Sequence, residues 1–195
     1  MSEIICLEDP NGDKYWYLNG KLHREDGPAI EYIDGDKYWY QNGKLHREDG
    51  PAIKWADGNK EWFLNDKLHR ENGPAIELVN GTKFWYKNNK LHREDGPAIE
   101  YSYGDKEFWL NGKLHRIDGP AIEYADGIKY WYLNGKLHRE DGPAVEYPDG
   151  NKFWWLNDKK VTRSDIFPII ILGFYRIKCK KPKEELTFNI IGAGQ

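Results

Sequence analysis

The twelve residues KLHREDGPAIEY, Lys21 to Tyr32, return almost unchanged at Lys44, Lys67, Lys90, Lys113 and Lys136, always 23 positions on. So short a period constrains the fold more tightly than chain length does. A unit of this size cannot bury its own apolar face and has to lean on its neighbours in a stacked array. Aligned on the period, the chain has a partial unit from Leu7 to Gly20, six complete units over 21–158, and a divergent tail from Lys159. Residues 1–158 therefore read as a repeat array, and 159–195 as the capping segment that a terminal repeat requires.

Two turn signals punctuate each unit. Asn-Gly, Asn-Asp or Asn-Asn precedes Lys-Leu-His-Arg, and in most units Asp-Gly or Asn-Gly precedes an aromatic segment. The runs between them are rich in β-formers, which predicts two antiparallel strands per unit. The first strand is KYWYLN at Lys14 and its relatives. Its third site is Trp in six units and Phe108 in the seventh, while its second site accepts Glu61 and Glu107 as readily as Tyr15 or Phe84. Period-two alternation puts the third site on the packed side and the second in water. The fourth site is always aromatic, so both faces carry rings and the sheet is expected to curl. The second strand, PAIEY, alternates Ala29 and Glu31 against Ile30 and Tyr32, with Ile30 and Tyr32 expected on the buried side. Pro28 has no amide to donate and a fixed φ, which suits the first residue of a strand.

The pattern YWYLNGKLHREDGPAIEYADG, with its aromatic strand, NGK turn and Y-x-D/N-G close, resembles the MORN repeat and especially its bacterial and viral variant. The resemblance covers roughly residues 7–158. It departs from the standard repeat in lacking alternating glycines after the turn and in carrying HREDGPA instead. It implies an elongated, twisted antiparallel meander, or β-solenoid, of 23-residue two-strand hairpins with a divergent C-terminal cap. Members of the variant family from bacteria are described as antitoxins, and similar repeats occur in phages and large viruses. The resemblance thus implies an immunity or anti-defence role. At about 4.8 Å between strands, adjacent units lie roughly 10 Å apart and six span about 60 Å.

Composition narrows the classes of function. A net charge of −3 lacks the basic footprint of a nucleic-acid binder and gives no basic patch for a membrane surface. The two cysteines, Cys6 and Cys179, stand at opposite ends, in neither a disulfide framework nor a zinc-site spacing. Reduced thiols in a cytoplasmic protein are expected. The start, MSEIICLEDPNG, has no basic region followed by a long apolar stretch, so no secretory signal is visible. The apolar run IFPIIILGFY, Ile166 to Tyr175, is about half the roughly 20 residues a spanning helix needs and is interrupted by Pro168 and Gly173. It reads as a buried cap, opened by Ser164 or Asp165 as a helix cap or continuing as strand through the isoleucines.

Six His-Arg pairs are invariant: His23 and Arg24, His46 and Arg47, His69 and Arg70, His92 and Arg93, His115 and Arg116, His138 and Arg139. Histidines roughly 10 Å apart cannot share an ion whose ligands lie about 2 Å from it, so no metal or other cofactor is expected. A structural reading has each imidazole beside a tryptophan or bonded to a turn carbonyl, and each guanidinium in a ladder with Asp26, Asp49, Asn72, Asp95, Asp118 and Asp141. Ile117 stands where other units have Glu, so the adjacent Glu is not what holds the arginine. The rival reading turns the pairs outward as donors for an anionic small molecule such as a nucleotide. Catalysis needs one asymmetric constellation, and evenly copied polar residues with only Ser2, Ser102 and Ser164 as serines supply none, so no enzyme is expected. Residues that differ between units, Val79, Lys87, Asn88, Asn89, Ser102, Tyr103 and Ile117, are candidate landmarks for a protein partner, with Tyr38 and Tyr130, expected to be exposed, as aromatic anchors. Scaffold, ligand-sequestering protein and self-associating module are the three classes carried forward.

Overall fold

Seven asparagines, at 19, 42, 65, 88, 111, 134 and 157, sit at φ between 50° and 54°, and the residue after each also has positive φ. Two successive left-handed residues make the tight turn whose twist matches that of antiparallel strands, and Asn pays the smallest steric penalty there after Gly. These turns fix the hairpins from which the array is assembled. The computed structural model describes residues 3–166 together with the strands Ile170–Leu172 and Tyr175–Ile177.

The architecture is all-β, an elongated antiparallel meander in which every unit adds strands to one continuous sheet. From the edge strand Ile5–Glu8 the order passes through Lys14–Leu18, Ile30–Glu31, Lys37–Tyr38, Ile53–Lys54 and onward in sequence to Lys152–Leu156 and Lys159–Val161. Inside the array each unit holds four short strands where two were expected. The aromatic segment breaks at its Trp, as in Lys37–Tyr38 and Tyr40–Gln41, and Lys44–Leu45 returns as the partner of the second piece. The break has a hydrogen-bonding cause. The Trp39 amide donates to Ala52 O in the long sheet, while its carbonyl accepts from the amide of His46 in the hairpin. The tryptophan backbone is shared between two ladders and completes neither.

The second ladder also runs the length of the array. Arg24 N donates to Tyr40 O and Gly43 N to Leu22 O, so each hairpin lies against the one before it, and the same pair of bonds recurs in every complete unit. Between the ladders run Ala29, Ala52, Ala75, Ala98, Ala121 and Ala144, each 0% exposed. This corrects the alternation reading, which set Ala29 opposite the buried side. Ile30 and Val145 are indeed buried, but the other face is covered as well, by the tryptophans and arginines, and only a methyl group fits there.

The second site of the aromatic strand also differs from expectation. It is half-buried in all units but the last and belongs to a row of rings packed edge to face: Tyr15 on Tyr32, Tyr32 on Tyr38 and Tyr38 on Trp55, with centroids 5.6–6.1 Å apart. Glu61 and Glu107 enter this row as acceptors. Trp55 Nε1 donates to Glu61 at 2.9 Å, and Trp109 Nε1 donates to Glu107 at 2.8 Å. In the tail, Arg163–Ile166 forms a single helical turn. Thr162 caps it, its amide donating to Asp165 Oδ2 at 2.6 Å, so the helix starts ahead of the Ser164 and Asp165 expected to open it. Ile170–Leu172 pairs with Tyr175–Ile177 as strand, and the rest of the expected cap lies outside the described residues.

The alanine row generates a test. Ala98→Leu has to force the ladders apart and should cost about 1–3 kcal/mol, more than Ile99→Val at about 0.5–1.5 kcal/mol, both measured by urea unfolding. A neutral Ala98→Leu would mean that the gap between ladders has slack.

Candidate functional site

The six His-Arg pairs lie on one row, each in the loop that leaves the hairpin and returns to the long sheet. Counted from the aromatic strand, so that residues 14–36 form one unit and 37–59 the next, every imidazole uses Nδ1 as an acceptor for the backbone amide of the turn asparagine in the next unit: Asn42 to His23, Asn65 to His46, Asn88 to His69, Asn111 to His92, Asn134 to His115 and Asn157 to His138, at 3.1–3.3 Å. The partner is thus a turn amide, where a turn carbonyl was expected. The direction matters in His23, His46, His92 and His138, where an accepting Nδ1 carries no proton and the ring hydrogen belongs on Nε2; in His69 and His115, Nδ1 also meets the side-chain oxygen of Asn88 and Asn134, at 3.2 and 3.0 Å. Nε2 faces the Glu two residues on, at 3.5–3.7 Å in four units and 2.9 Å between His69 and Glu71. His115 has Ile117 at that position. Histidine is therefore one side-chain tie between units.

Arginine closes each unit on itself. Arg24 lies with its guanidinium 4.1 Å from the Trp16 ring centroid, donates Nε to Asp26 at 2.9 Å, and donates Nη1 to Pro28 O at 3.3 Å and Glu31 at 3.1 Å. Arg93, Arg116 and Arg139 repeat the whole set on Trp85, Phe108 and Trp131. Arg70 keeps Trp62, Pro74 O and Glu77. Arg47 keeps Trp39, Asp49 and Pro51 O, but Lys54 replaces the glutamate. Sequence reasoning named the aspartates and missed these glutamates, although Glu31, Glu77, Glu100, Glu123 and Glu146 recur at one site. Gly27 is explained by the same contact. A Cβ there would stand 2.8 Å from Arg24 Cζ, and each equivalent glycine meets its arginine at 2.7–3.0 Å, so Gly-Pro is a guanidinium seat as well as the start of a strand.

The candidate partner residues do not converge on one patch. Lys87, Asn88 and Asn89 share a turn, where Asn89 Oδ1 accepts from Leu68 N and Lys87 Nζ lies 3.6 Å from Glu71. Tyr38 and Tyr130 are half-buried, not exposed as expected, because they pack edge to face in the ring row of the long sheet, where burial pushes the Tyr38 phenol up to about 12 and the Tyr147 hydroxyl together with burial does the same to Tyr130. Val79, Ser102 and Tyr103 stand in the opposite row of turns, with Tyr103 stacked on Tyr101 at 5.2 Å. Ile117 is in the His-Arg row and 86% exposed. A hollow of about 710 Å³ lies apart from all of these, at the N-terminal edge between Ile5, Leu7 and Tyr17. Among the described residues no group of His, Cys, Asp and Glu is placed to hold a metal ion, and no helix is long and apolar enough to cross a membrane.

Hydrogen bonds from arginine, followed by its charge, hold the carboxyls of Asp26, Asp49, Asp95 and Asp118 below the usual carboxylate range. A folded value below the unfolded one gives stability that is fully present above the ordinary aspartate value near 4 and is lost as pH falls through the folded value. Thermal melts should therefore show Tm constant near neutrality and falling below about pH 4, with a shallower fall for Asp118→Asn. His23→Phe keeps the ring and removes the acceptor, and should cost about 1 kcal/mol in urea unfolding. Equal stability would show that Asn42 finds another acceptor.

Compared with known proteins, the chain matches no protein-family model and no curated protein.

Proposed function

We propose that the chain is a non-enzymatic repeat scaffold that docks a protein partner in the cytoplasm. The observation that carries this reading is the internal use of the repeated chemistry: all six imidazoles bond the next unit's turn, and all six guanidinium groups lie on an aromatic ring of their own unit. Side chains engaged in this way serve to hold the array together. What distinguishes one place from another is then the surface, where single units depart from the pattern. The resemblance of residues 7–158 to the variant MORN repeat adds, by analogy, an antitoxin, immunity or anti-defence role, and the partner would be the protein so neutralised.

A self-association reading has one observation in its favour. The edge strand Ile5–Glu8 leaves Ile5 58% and Leu7 54% exposed beside unpaired backbone. The anionic-ligand reading has the part-exposed guanidinium row, although each of its members already faces carboxylate or carbonyl oxygen.

Native mass spectrometry of the protein recovered gently from host-like lysate separates the three. The scaffold reading expects one protein-sized adduct per chain, identified by its peptides and reconstituted from purified components. Several small adducts of one mass would overturn it in favour of the ligand row, with Arg70 and His92 the first residues to replace. Oligomers that grow with concentration would overturn it in favour of assembly.

A further inference from the structure

On the tryptophan side of the long sheet, antiparallel pairing sets lysine against glutamate strand after strand. Lys14 opposes Glu31, Glu31 opposes Lys37, Lys60 opposes Glu77, and from Glu77 the alternation continues through Lys83, Glu100, Lys106, Glu123, Lys129 and Glu146 to Lys152. Opposite charges placed directly across strands stabilise a sheet, and like charges there destabilise it. The row breaks at one place. Lys54 stands between Lys37 and Lys60, so three exposed lysines lie on adjacent strands.

The break removes a carboxylate from a fixed position. In the other five complete units, the glutamate at this site bonds its arginine at 2.7–3.1 Å. Arg47 has no such partner. It is left with Asp49 at 2.8 Å and Pro51 O at 3.4 Å, and Lys54 Nζ shares the Trp39 ring with it, 5.4 Å from the centroid. Asp49, already bonded by Arg47, is the carboxylate that also feels the charge of Lys54, and the other acids of these units have hydrogen-bond or ion-pair partners of their own. Asp36 accepts from Ala56 N, Asp57 from Asn59 N, and Glu48 faces His46. Glu31 and Glu77 flank the trio but are bonded to Arg24 and Arg70. Arg47 and Lys54 thus share one aromatic ring, with Lys37 and Lys60 directly across from Lys54 on the adjacent strands, in a chain whose net charge is −3.

We propose that Lys37, Lys54 and Lys60, with Arg47 and Trp39 beside them, form a docking site for a carboxylate-rich segment of a protein partner. An incoming Asp or Glu side chain supplies the negative charge that Glu31, Glu77, Glu100, Glu123 and Glu146 supply elsewhere in the row. Charge complementarity selects the occupant. The gap in the pattern is one carboxylate wide, and a chain of net charge −3 lacks the extended basic footprint along which a nucleic-acid backbone runs. The proposal rests on the scaffold reading and names which unit and which chemistry the partner meets.

The test uses the full chain and a fluorescent oligoglutamate peptide, read by anisotropy at low salt. Wild type should bind, Lys54→Glu should weaken binding by about tenfold or more, and Lys113→Glu, the same charge change at an exposed strand position in a hairpin of another unit, by less than about twofold. Lys54→Glu restores the alternation, so its Tm should equal or exceed that of wild type, and loss of binding cannot be put down to unfolding. Absence of wild-type binding, equal losses in the two variants, a lowered Tm for Lys54→Glu, or tighter binding of a single-stranded oligonucleotide than of the peptide would each overturn the site. The peptide needs no identified partner. Failure here alongside a one-to-one protein adduct in native mass spectrometry would discard the site and keep the scaffold, whereas peptide binding that depends on Lys54 without any such adduct would do the reverse.

Discussion

Each unit is built around a guanidinium lying on an aromatic ring. Arg24 on Trp16, and its five counterparts at 3.9–4.3 Å from the ring centroid, hold the His-Arg loop against the long sheet. A cation on a ring contributes about 0.5–2 kcal/mol depending on desolvation, which is modest until its dependants are considered. The loop glycine is there because a Cβ would strike the arginine, the aspartate because Nε needs an acceptor, and the proline because its carbonyl receives Nη1. Phe108 can replace Trp in one unit because a π face is what the cation needs, and Arg116 lies 3.9 Å from it. The motif His-Arg-x-Asp-Gly-Pro-Ala is thus one contact with its supports.

Substitutions between units keep to the same physics, because they come in matched sets across an interface. In the turns before the aromatic segment, the side chains of Asp13, Asp36, Asn59, Thr82 and Asp105 each accept the backbone amide of the residue 20 positions on. Ile128 has no acceptor to offer, and the residue 20 positions on is Pro148, which has no amide to donate. Glu61 likewise stands beside Trp55, whose indole N–H it receives, in the unit that has Trp where others have Tyr or Leu. Such pairs join successive units, so an array can accept a new residue only when its neighbour answers it. Lys54 is a departure that its cross-strand neighbours do not answer, since both are lysines.

Much of this fold was legible in the sequence. The period, the asparagine turns and the stacking of hairpins follow from spacing and from the demands of positive φ at Asn42 and Gly43. The strand break at Trp39 was not, because it depends on the amide and the carbonyl of one residue pointing to different ladders, and no side-chain pattern records that. The burial of Ala29 was misread for a related reason. Alternation identifies the inner face only when the other face meets water, and here Trp and Arg cover it. For the site, the internal role of the Arg-Asp pairs could be read from the acceptor at every Asp26-type position. The glutamate seven residues after the arginine could have been found by asking which carboxylates recur in register. The amide bound to His23 could not, since its donor lies in the following unit, 19 residues away.

These ties connect only neighbours, and that shapes what the array can do. Bonds within a unit and to the next one give a stability that sums along the chain, with no central core whose loss would dissolve every unit at once. Among the described residues no large side chain is fully buried, so the array is held by ladders, rings and ion pairs more than by an oily interior. A surface change that leaves these ties intact costs little, whichever unit carries it. The outward faces are therefore free to diverge while the inward ones stay fixed, and a partner can find one unit among six because the architecture is indifferent to which one differs. Lys54 is the exception within that freedom. It lies on a paired row where charge alternation stabilises the sheet, and it sets three lysines side by side on adjacent strands instead.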